Sequence, residues 1–513
     1  MEKDEAELAK MGYKQELKRE LGLMQNFGVS FSIISVITGI PSLFLYGLNT
    51  GGPSVMVRIE AILNLAFFTL LVGMAMAGPY LNPCSAHPTS GGPYFWAAML
   101  SKPKNAPLAS WITGWFNLLG QVAVTTGISF ACASFISTLS TFKTGFVPSP
   151  NTQIGVYAAV LFTQGLSFGV RVLHYLNNVS VWWHAIGTFA LVIAILARAP
   201  THQSGHFVFQ TFIDGTGGWA ERASPAYVAV TGVRLIEFCI MPLMTEETTN
   251  AAMSGSIGII MAIGVSALLG MYLLLGLLFS IHDLDNTINS ATGEPVAQIF
   301  LDCVGEDGAI VLMIIVIGAM YFCGTFSVTS NSRMMYAFAR DGGLPGSKFF
   351  AYVNTTWRSP IRTVWLACTL SLILGLPSLG SAVAFSAATS IATIGLYISY
   401  GKFNSAVPIA LRVIYHADFV RGPFHLGIFS FPVAITAVIW IAFISIVFIL
   451  PQENPVDSQT LNYAIVAVGI VITYSFGYWL ISARKWFAGP VKQIAAEEMG
   501  INVMEPGSAE KDQ

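Results

Sequence analysis

Thr38-Gly39-Ile40-Pro41 stands near the middle of a long apolar run, SFSIISVITGIPSLF. Pro41 has no backbone N–H and its ring crowds the preceding turn, so a helix is expected to open there. Gly39 permits the dihedrals that an opening needs. A second half-helix starting at about Pro41 would aim free N–H groups and the positive end of its dipole at mid-run, a seat for a carboxylate. An ordinary proline kink is the alternative. Asn117 and Gln121 lie four apart on one helix face and serve either a cavity or an interhelical hydrogen bond. Cys323 and Ser327, and Ser386 and Thr389 with Ser390 and Thr393, are small polar residues at helical spacing, fit for lining a cavity or for plain packing. His184 follows NNVSVWW; an imidazole with an ordinary pKa of about 6.5 suits reversible protonation. Its alternative is an interfacial ring bonded among Trp182 and Trp183. GLSFG (165–169) fits G-x-S-x-G, but a nucleophile elbow needs a strand–turn–helix setting, and Ser167 falls inside an apolar span. No catalytic cluster remains, so no enzyme is expected. The six cysteines, Cys84, Cys132, Cys239, Cys303, Cys323 and Cys368, show no CxxC spacing and suggest neither a disulfide framework nor a metal site.

The elements that carry these residues must live in lipid. Of 513 residues, 54% are apolar and 10% are charged, against about 25% charged in a soluble domain. Mean hydropathy is +0.65. A net charge of -2 leaves no electrostatic footprint for nucleic acid. Crossing the hydrocarbon takes about 20 apolar residues, and twelve stretches qualify: 26–48, 55–77, 108–139, 153–173, 179–198, 225–244, 256–281, 308–330, 361–379, 381–401, 427–450 and 461–482. The expected fold is an all-α polytopic membrane protein with twelve transmembrane helices. Residues 1–25 mix both charge signs and read as a partly helical cytosolic arm. With that arm inside, the external loops hold only Lys143, Arg198 and Arg222, while Arg58, Arg171 and Arg234 fall in or beside spans. The other nineteen of the 25 Lys and Arg are cytosolic, as the positive-inside rule expects for both termini inside. The acidic 282–307 loop, which has no Lys or Arg, fits the outside.

The sixth span, PAYVAVTGVRLIEFCIMPLMTEE, is also interrupted, by Pro242, and carries Arg234 and Glu237 three apart, able to pair. Spans one and six are five apart and run in opposite directions. Paired interrupted helices of this kind mark the binding sites of secondary transporters built from inverted repeats. The expected organisation is an arm (1–25), a first repeat (26–198), a second inverted repeat (225–401), two further spans (427–482) and a cytosolic tail (483–513).

GYKQELKRELG (12–22), PTSGGPYFWAAML (88–100), APLASWITGWFNLLGQVAVT (106–125), YLNNVSVWWH (175–184), VTSNSRMMYAFARDGGLPGSKF (328–349), TSIATIGLYISYG (389–401) and TLNYAIVAVG (460–469) resemble the amino acid–polyamine–organocation transporters. Within that superfamily the chain is most similar to the eukaryotic GABA and choline permeases and the plant bidirectional amino-acid transporters. The resemblance implies a five-plus-five inverted-repeat core with two added carboxy-terminal helices. It further implies that the backbone around Ser35, Thr38, Gly39 and Ile40 holds a substrate carboxylate. Phe238, Cys239, Ile240 and Met241 occupy the corresponding break of span six by position, with helix packing as the alternative. Some proton-coupled relatives place a lysine where His184 stands. The chain departs from the family pattern at MAGPYLNPCS (76–85), EFCIMPLMTEE (237–247) and KFNSAV (402–407).

The function expected is a secondary or facilitative carrier of amino acids or related small zwitterions, working by alternating access in a lipid bilayer. It needs no cofactor beyond a coupling proton or sodium ion. A choline or polyamine permease is one alternative, and a transport-inactive receptor or scaffold, suggested by the altered span six, is another. The plasma membrane is the expected location, with endomembranes and mitochondria open.

Overall fold

The computed structural model describes residues 2–11, 13, 16–17, 19, 21–61, 89–167, 169–233, 245–379, 384–401, 430–457 and 460–490. Lipid offers no partner for a bare N–H or C=O, so apolar sequence of this kind must close its hydrogen bonds within helices. In chain order the helices that matter here are α1 (Glu2–Lys10), α2 (Leu23–Ile34), α3 (Val36–Asn49), α4 (Gly52–Ile59), α5 (Pro93–Leu100), α6 (Ala106–Thr141), α7 (Pro150–Gly165) and α8 (Val170–Arg198). They continue with α9 (Pro225–Thr231), α10 (Ala251–Phe279), α11 (Pro295–Arg340), α12 (Ile361–Gly375), α13 (Ala384–Gly401), α14 (Ser430–Val447) and α15 (Ala464–Ile481). Among the described residues there is no strand, only isolated backbone bridges, and six helical stretches are long and apolar enough to cross a membrane. α4 and α9 are the described beginnings of the second and sixth expected spans. The departures from the family pattern at 76–85 and 402–407, and residues 237–244 of the one at 237–247, lie outside the described residues, as do Arg234, Glu237 and Phe238 to Met241.

Several expectations move. The fourth and fifth spans meet at Leu166–Gly169 rather than between 173 and 179, because α7 ends at Gly165 and α8 begins at Val170. Hydropathy misses this turn, since GLSFG is itself mostly apolar. Ser167 therefore sits in a turn between two helices, not inside a span, and the lack of a preceding strand still rules out a nucleophile elbow. The 282–307 stretch, expected as loop, contains the start of α11 at Pro295; that helix runs 46 residues and is interrupted by Gly305, whose φ of 72° breaks the helical path.

Close packing depends on small residues where helices cross. A Cβ on Gly120 of α6 would lie 2.7 Å from the Leu396 backbone nitrogen of α13, and one on Gly395 would lie 2.7 Å from the Gly120 nitrogen. Only glycine allows such backbone approach. α8 turns Trp182 (67% exposed) and Ile186 (62% exposed) outward, the face a lipid chain would cover. The amino-terminal arm is helical in part, as expected, but it also packs into the bundle end: Leu8, Tyr13, Leu17 and Leu21 are all buried.

Candidate functional site

α2 and α3 form one rod interrupted at a single residue. Ser35 has φ 32° and ψ 83°, left-handed backbone that a residue with a Cβ rarely adopts. The expected opening at Thr38–Pro41 is thus corrected: α3 begins at Val36 and continues through Gly39 and Pro41. Pro41 deprives only the Ile37 carbonyl of its usual donor, early in the helix, which the helix tolerates. What fixes the break at Ser35 is tertiary. Its hydroxyl lies 2.6 Å from Thr38 Oγ1 and 2.8 Å from His184 Nε2. The carbonyl of Ile33, near the end of α2, accepts from the Cys323 thiol at 3.1 Å. Thr38 N–H and Gly39 N–H both donate to the Ser35 carbonyl, at 2.8 and 3.0 Å, and Ser35 N–H donates to Phe31. These three amides are therefore already partnered, and a carboxylate would have to displace those bonds to use them.

His184 is buried on α8. Its Nδ1 faces the Ser180 carbonyl at 2.8 Å, and a carbonyl only accepts, so Nδ1 carries the proton. In the neutral ring Nε2 then accepts from the Ser35 hydroxyl, which in turn accepts from Thr38. Ser180 Oγ reaches Ser32 Oγ at 2.7 Å, tying α8 to the last turn of α2 as well. The alternative setting, bonded among Trp182 and Trp183, is not what the structure shows: Trp183 Nε1 donates to Ile315 at 2.9 Å.

A cavity of about 110 Å³ opens beside α3, space for several water molecules. Thr38, Gly39, Cys323, Thr389 and Thr393 line it, with Ser42 of α3 and Phe448. Among the described residues nothing lies within 4 Å of where a Gly39 Cβ would stand. The opposite wall is α6, through Ala123, Gly127 and Ala131. Those three small residues recur every four positions, a signal present in the sequence but overshadowed by the polar pairs. No charged side chain lines the cavity among the described residues.

Of the other candidates, Ser35 and Ile40 are buried beside the cavity without lining it. Ser327 hydrogen-bonds Thr125 of α6 at 2.9 Å. Asn117 and Gln121 do share a face of α6, wholly buried, but among the described residues neither side chain has a hydrogen-bond partner, and neither lines the cavity. Ser386 falls on α13, and its side chain lies outside the described residues.

A second polar region, at the end of the bundle covered by the arm, was not foreseen from residue spacing. Arg333 Nε meets Glu247 Oε1 at 2.9 Å and Arg340 Nη2 meets Glu246 Oε1 at 3.1 Å, all four side chains buried. Glu246 also accepts from Thr89 Oγ1 and the Ser90 N–H, both at 2.9 Å. Burial pushes the Glu246 carboxyl upward, but the Arg340 charge and the bonds from Arg340, Ser90 and Thr89 outweigh it and hold it below the ordinary glutamate value. The Tyr13 and Tyr94 hydroxyls each donate to Asp341 Oδ2 at 2.8 Å. Burial, then the Asp341 charge, push the Tyr13 phenol well above its ordinary value, so it remains a neutral donor.

A helical membrane protein with an interrupted rod beside a small cavity, and no charged lining among the described residues, fits the class of membrane carriers. The chain belongs to the amino acid permease family, whose model matches residues 22–472, and is a transporter rather than an enzyme. It is 40% identical to the Arabidopsis thaliana amino-acid permease BAT1 across 96% of this chain and 97% of that protein. It is 42% identical to a BAT1 homolog of Oryza sativa subsp. japonica, across 95% and 96%. A Schizosaccharomyces pombe protein described as an uncharacterized amino-acid permease is 31% identical across 95% of this chain and 89% of its own length.

Proposed function

We propose that the chain carries small zwitterionic amino acids across a membrane by alternating access, with the cavity beside Gly39 as the substrate seat. The observation that supports this most is the lining: hydroxyls of Thr38, Ser42, Thr389 and Thr393, a thiol, and no charge among the described residues. A molecule of zero net charge can be buried there, whereas an unpaired cation would be left uncompensated; this favours amino acids over choline or polyamines. The positive end of α3 favours the carboxylate side of such a molecule. The amides of Ser35, Thr38 and Gly39 are already bonded, and the Thr38 and Ser42 hydroxyls bond Ser35 and the Thr38 carbonyl, so the carboxylate takes its seat by exchanging one of these bonds for its own.

Around this seat we place twelve spans in two inverted repeats (26–198 and 225–401) followed by two more, both termini cytosolic, in the plasma membrane. Phe238 to Met241 would complete the seat from span six. The driving force is a gradient of substrate, protons or sodium. His184 is the candidate proton site: a proton on Nε2 turns that atom from acceptor to donor and forces the Ser35 hydroxyl to reverse. Uptake of a labelled amino-acid panel into proteoliposomes, with and without a pH gradient, tests both parts. Flux of at least one amino acid is expected; none for any, in correctly inserted protein, overturns the reading in favour of a scaffold. In His184→Gln, stimulation by the pH gradient is expected to vanish while exchange of substrate persists; unchanged stimulation removes His184 from the coupling.

A further inference from the structure

Just past α15 the chain folds back against the start of α6. Ala483 and Phe487 are buried, and the Phe487 ring lies 5.1 Å from that of Trp111, in the second turn of α6. Trp111 in turn sits 6.3 Å from Phe338 of α11, which places the contact at the arm-covered end of the bundle. Arg484, Lys485 and Trp486, between the two buried anchors, are exposed. The Trp486 ring stands 5.8 Å from Trp111, and its Nε1 donates to Ser482 Oγ at 3.2 Å. Gly489 then reaches the first turn of α6, where a Cβ on it would lie 3.7 Å from Pro107 Cα. Lys102 and Lys104, both exposed, immediately precede that turn.

Four cations therefore gather on one rim, and the neighbouring sequence sets no acid against them. No Asp or Glu occurs between Glu60 and Asp214, or between Asp457 and Glu497. Other basic side chains of this end are engaged within the protein. Arg333 and Arg340 meet Glu247 and Glu246, Arg19 donates to the Thr248 carbonyl, and Arg362 lies over the Phe349 and Tyr352 rings. Arg484 and Lys485 form no ion pair among the described residues. Their depth says which anion they meet. α15 exposes Ile470, Phe476, Leu480 and Ile481 along its length, a face that acyl chains cover. Trp486 follows where that face ends, as tryptophan does at headgroup level. Basic residues clustered directly beyond a membrane helix attract the anionic lipids of that leaflet.

We propose that Arg484 and Lys485, with Lys102 and Lys104 beside them, bind the headgroup of an anionic phospholipid whose chains lie along the outer face of α15, and that Trp486 caps the site. This is independent of the transport reading. The test is quenching of tryptophan fluorescence by chain-brominated lipids in phosphatidylcholine bilayers, with Trp486 followed as the difference between the parent and Trp486→Phe. At equal mole fraction, dibrominated phosphatidylserine is expected to occupy the site about tenfold more readily than dibrominated phosphatidylcholine. In Arg484→Gln/Lys485→Gln that preference should all but vanish, and in Lys102→Gln/Lys104→Gln it should fall by a smaller factor. Added salt should shrink it in the parent. Equal quenching of Trp486 by the two lipids overturns the proposal, as does a preference that survives Arg484→Gln/Lys485→Gln. Quenching by neither lipid would show the patch covered by protein, such as a second copy of this chain, and overturns it too. Inorganic phosphate should leave the preference in place; its loss would assign the site to a free anion and overturn the lipid assignment. Should a variant fail to insert, the parent alone decides: excess quenching by phosphatidylserine that is absent, or indifferent to salt, overturns the proposal.

Discussion

The break at Ser35 and the arm-covered end of the bundle bury polar groups in opposite ways. Around Ser35 the partners among the described residues are uncharged groups: two hydroxyls, an imidazole, a thiol and backbone carbonyls. At the arm-covered end the last turns of α11 and the 245–247 turn bury Arg333, Arg340, Glu246, Glu247 and Asp341. A neutral hydrogen bond contributes about 0.5–1.5 kcal/mol net and is readily exchanged for another. Stranding one member of a buried ion pair costs about 3–5 kcal/mol. The first arrangement suits a seat that trades its own bonds for a substrate's. The second suits a closure that stays shut until all of it rearranges together.

The largest expected effect breaks the charged side of that contrast. Glu247→Gln leaves the Arg333 guanidinium buried without its counter-charge, and the purified protein should lose about 3–5 kcal/mol against unfolding. Pairing Glu247→Leu with Arg333→Met should recover most of it. A loss below about 1 kcal/mol in the single variant would mean water already reaches Arg333, and the two regions would not differ as argued.

Next comes the cavity. Gly39→Val fills open space, since among the described residues nothing lies within 4 Å of the added Cβ; flux should drop by about tenfold or more, the equivalent of 1.4 kcal/mol, with little change in unfolding. Ser167→Ala, in the α7–α8 turn, should carry substrate as the parent does. Equal flux in both variants would remove the cavity from the route.

Smaller still is the strain at Ser35. Ser35→Ala loses the bonds to His184 and Thr38 while keeping a Cβ at φ 32°. Ser35→Gly loses the same bonds but relaxes the backbone, so it should be more stable than the alanine variant by about 1 kcal/mol in chemical denaturation. The opposite order would show the left-handed conformation to be unstrained.

The smallest effect near neutrality is that of pH on the ion pairs. The Glu246 carboxyl is held below its ordinary value. Its contribution is therefore complete above the unfolded glutamate pKa of about 4.3 and is lost as pH falls through the lower folded value. Thermal unfolding should be insensitive to Glu246→Gln's missing titration at neutral pH, and the parent should lose more than the variant on acidification. A parent that weakens between pH 8 and 6 through this residue would contradict the pairing.

Much of this was legible in the residues. Composition alone demanded lipid, and the interruption of the first span followed from Thr38-Gly39-Ile40-Pro41, three residues or so from where it lies. The shift to Ser35 was not legible, because proline shows where a helix can weaken, whereas His184, 149 positions away, determines where it gives way. The cavity's α6 wall was written as Ala123, Gly127 and Ala131, yet polarity drew the reading to Asn117 and Gln121, whose burial depends on rotation about the helix axis. The arm reads as a partly helical cytosolic segment of mixed charge; nothing local in GYKQELKREL reveals that Tyr13 finds Asp341 328 residues later.

The glycine contact between α6 and α13 has a mechanical consequence. With the Gly120 and Gly395 backbones touching, neither helix can slide or roll past the other without a collision of main chains. They must travel as one stiff plate, and whatever shape change carries cargo across has to be made by the rods leaning against it.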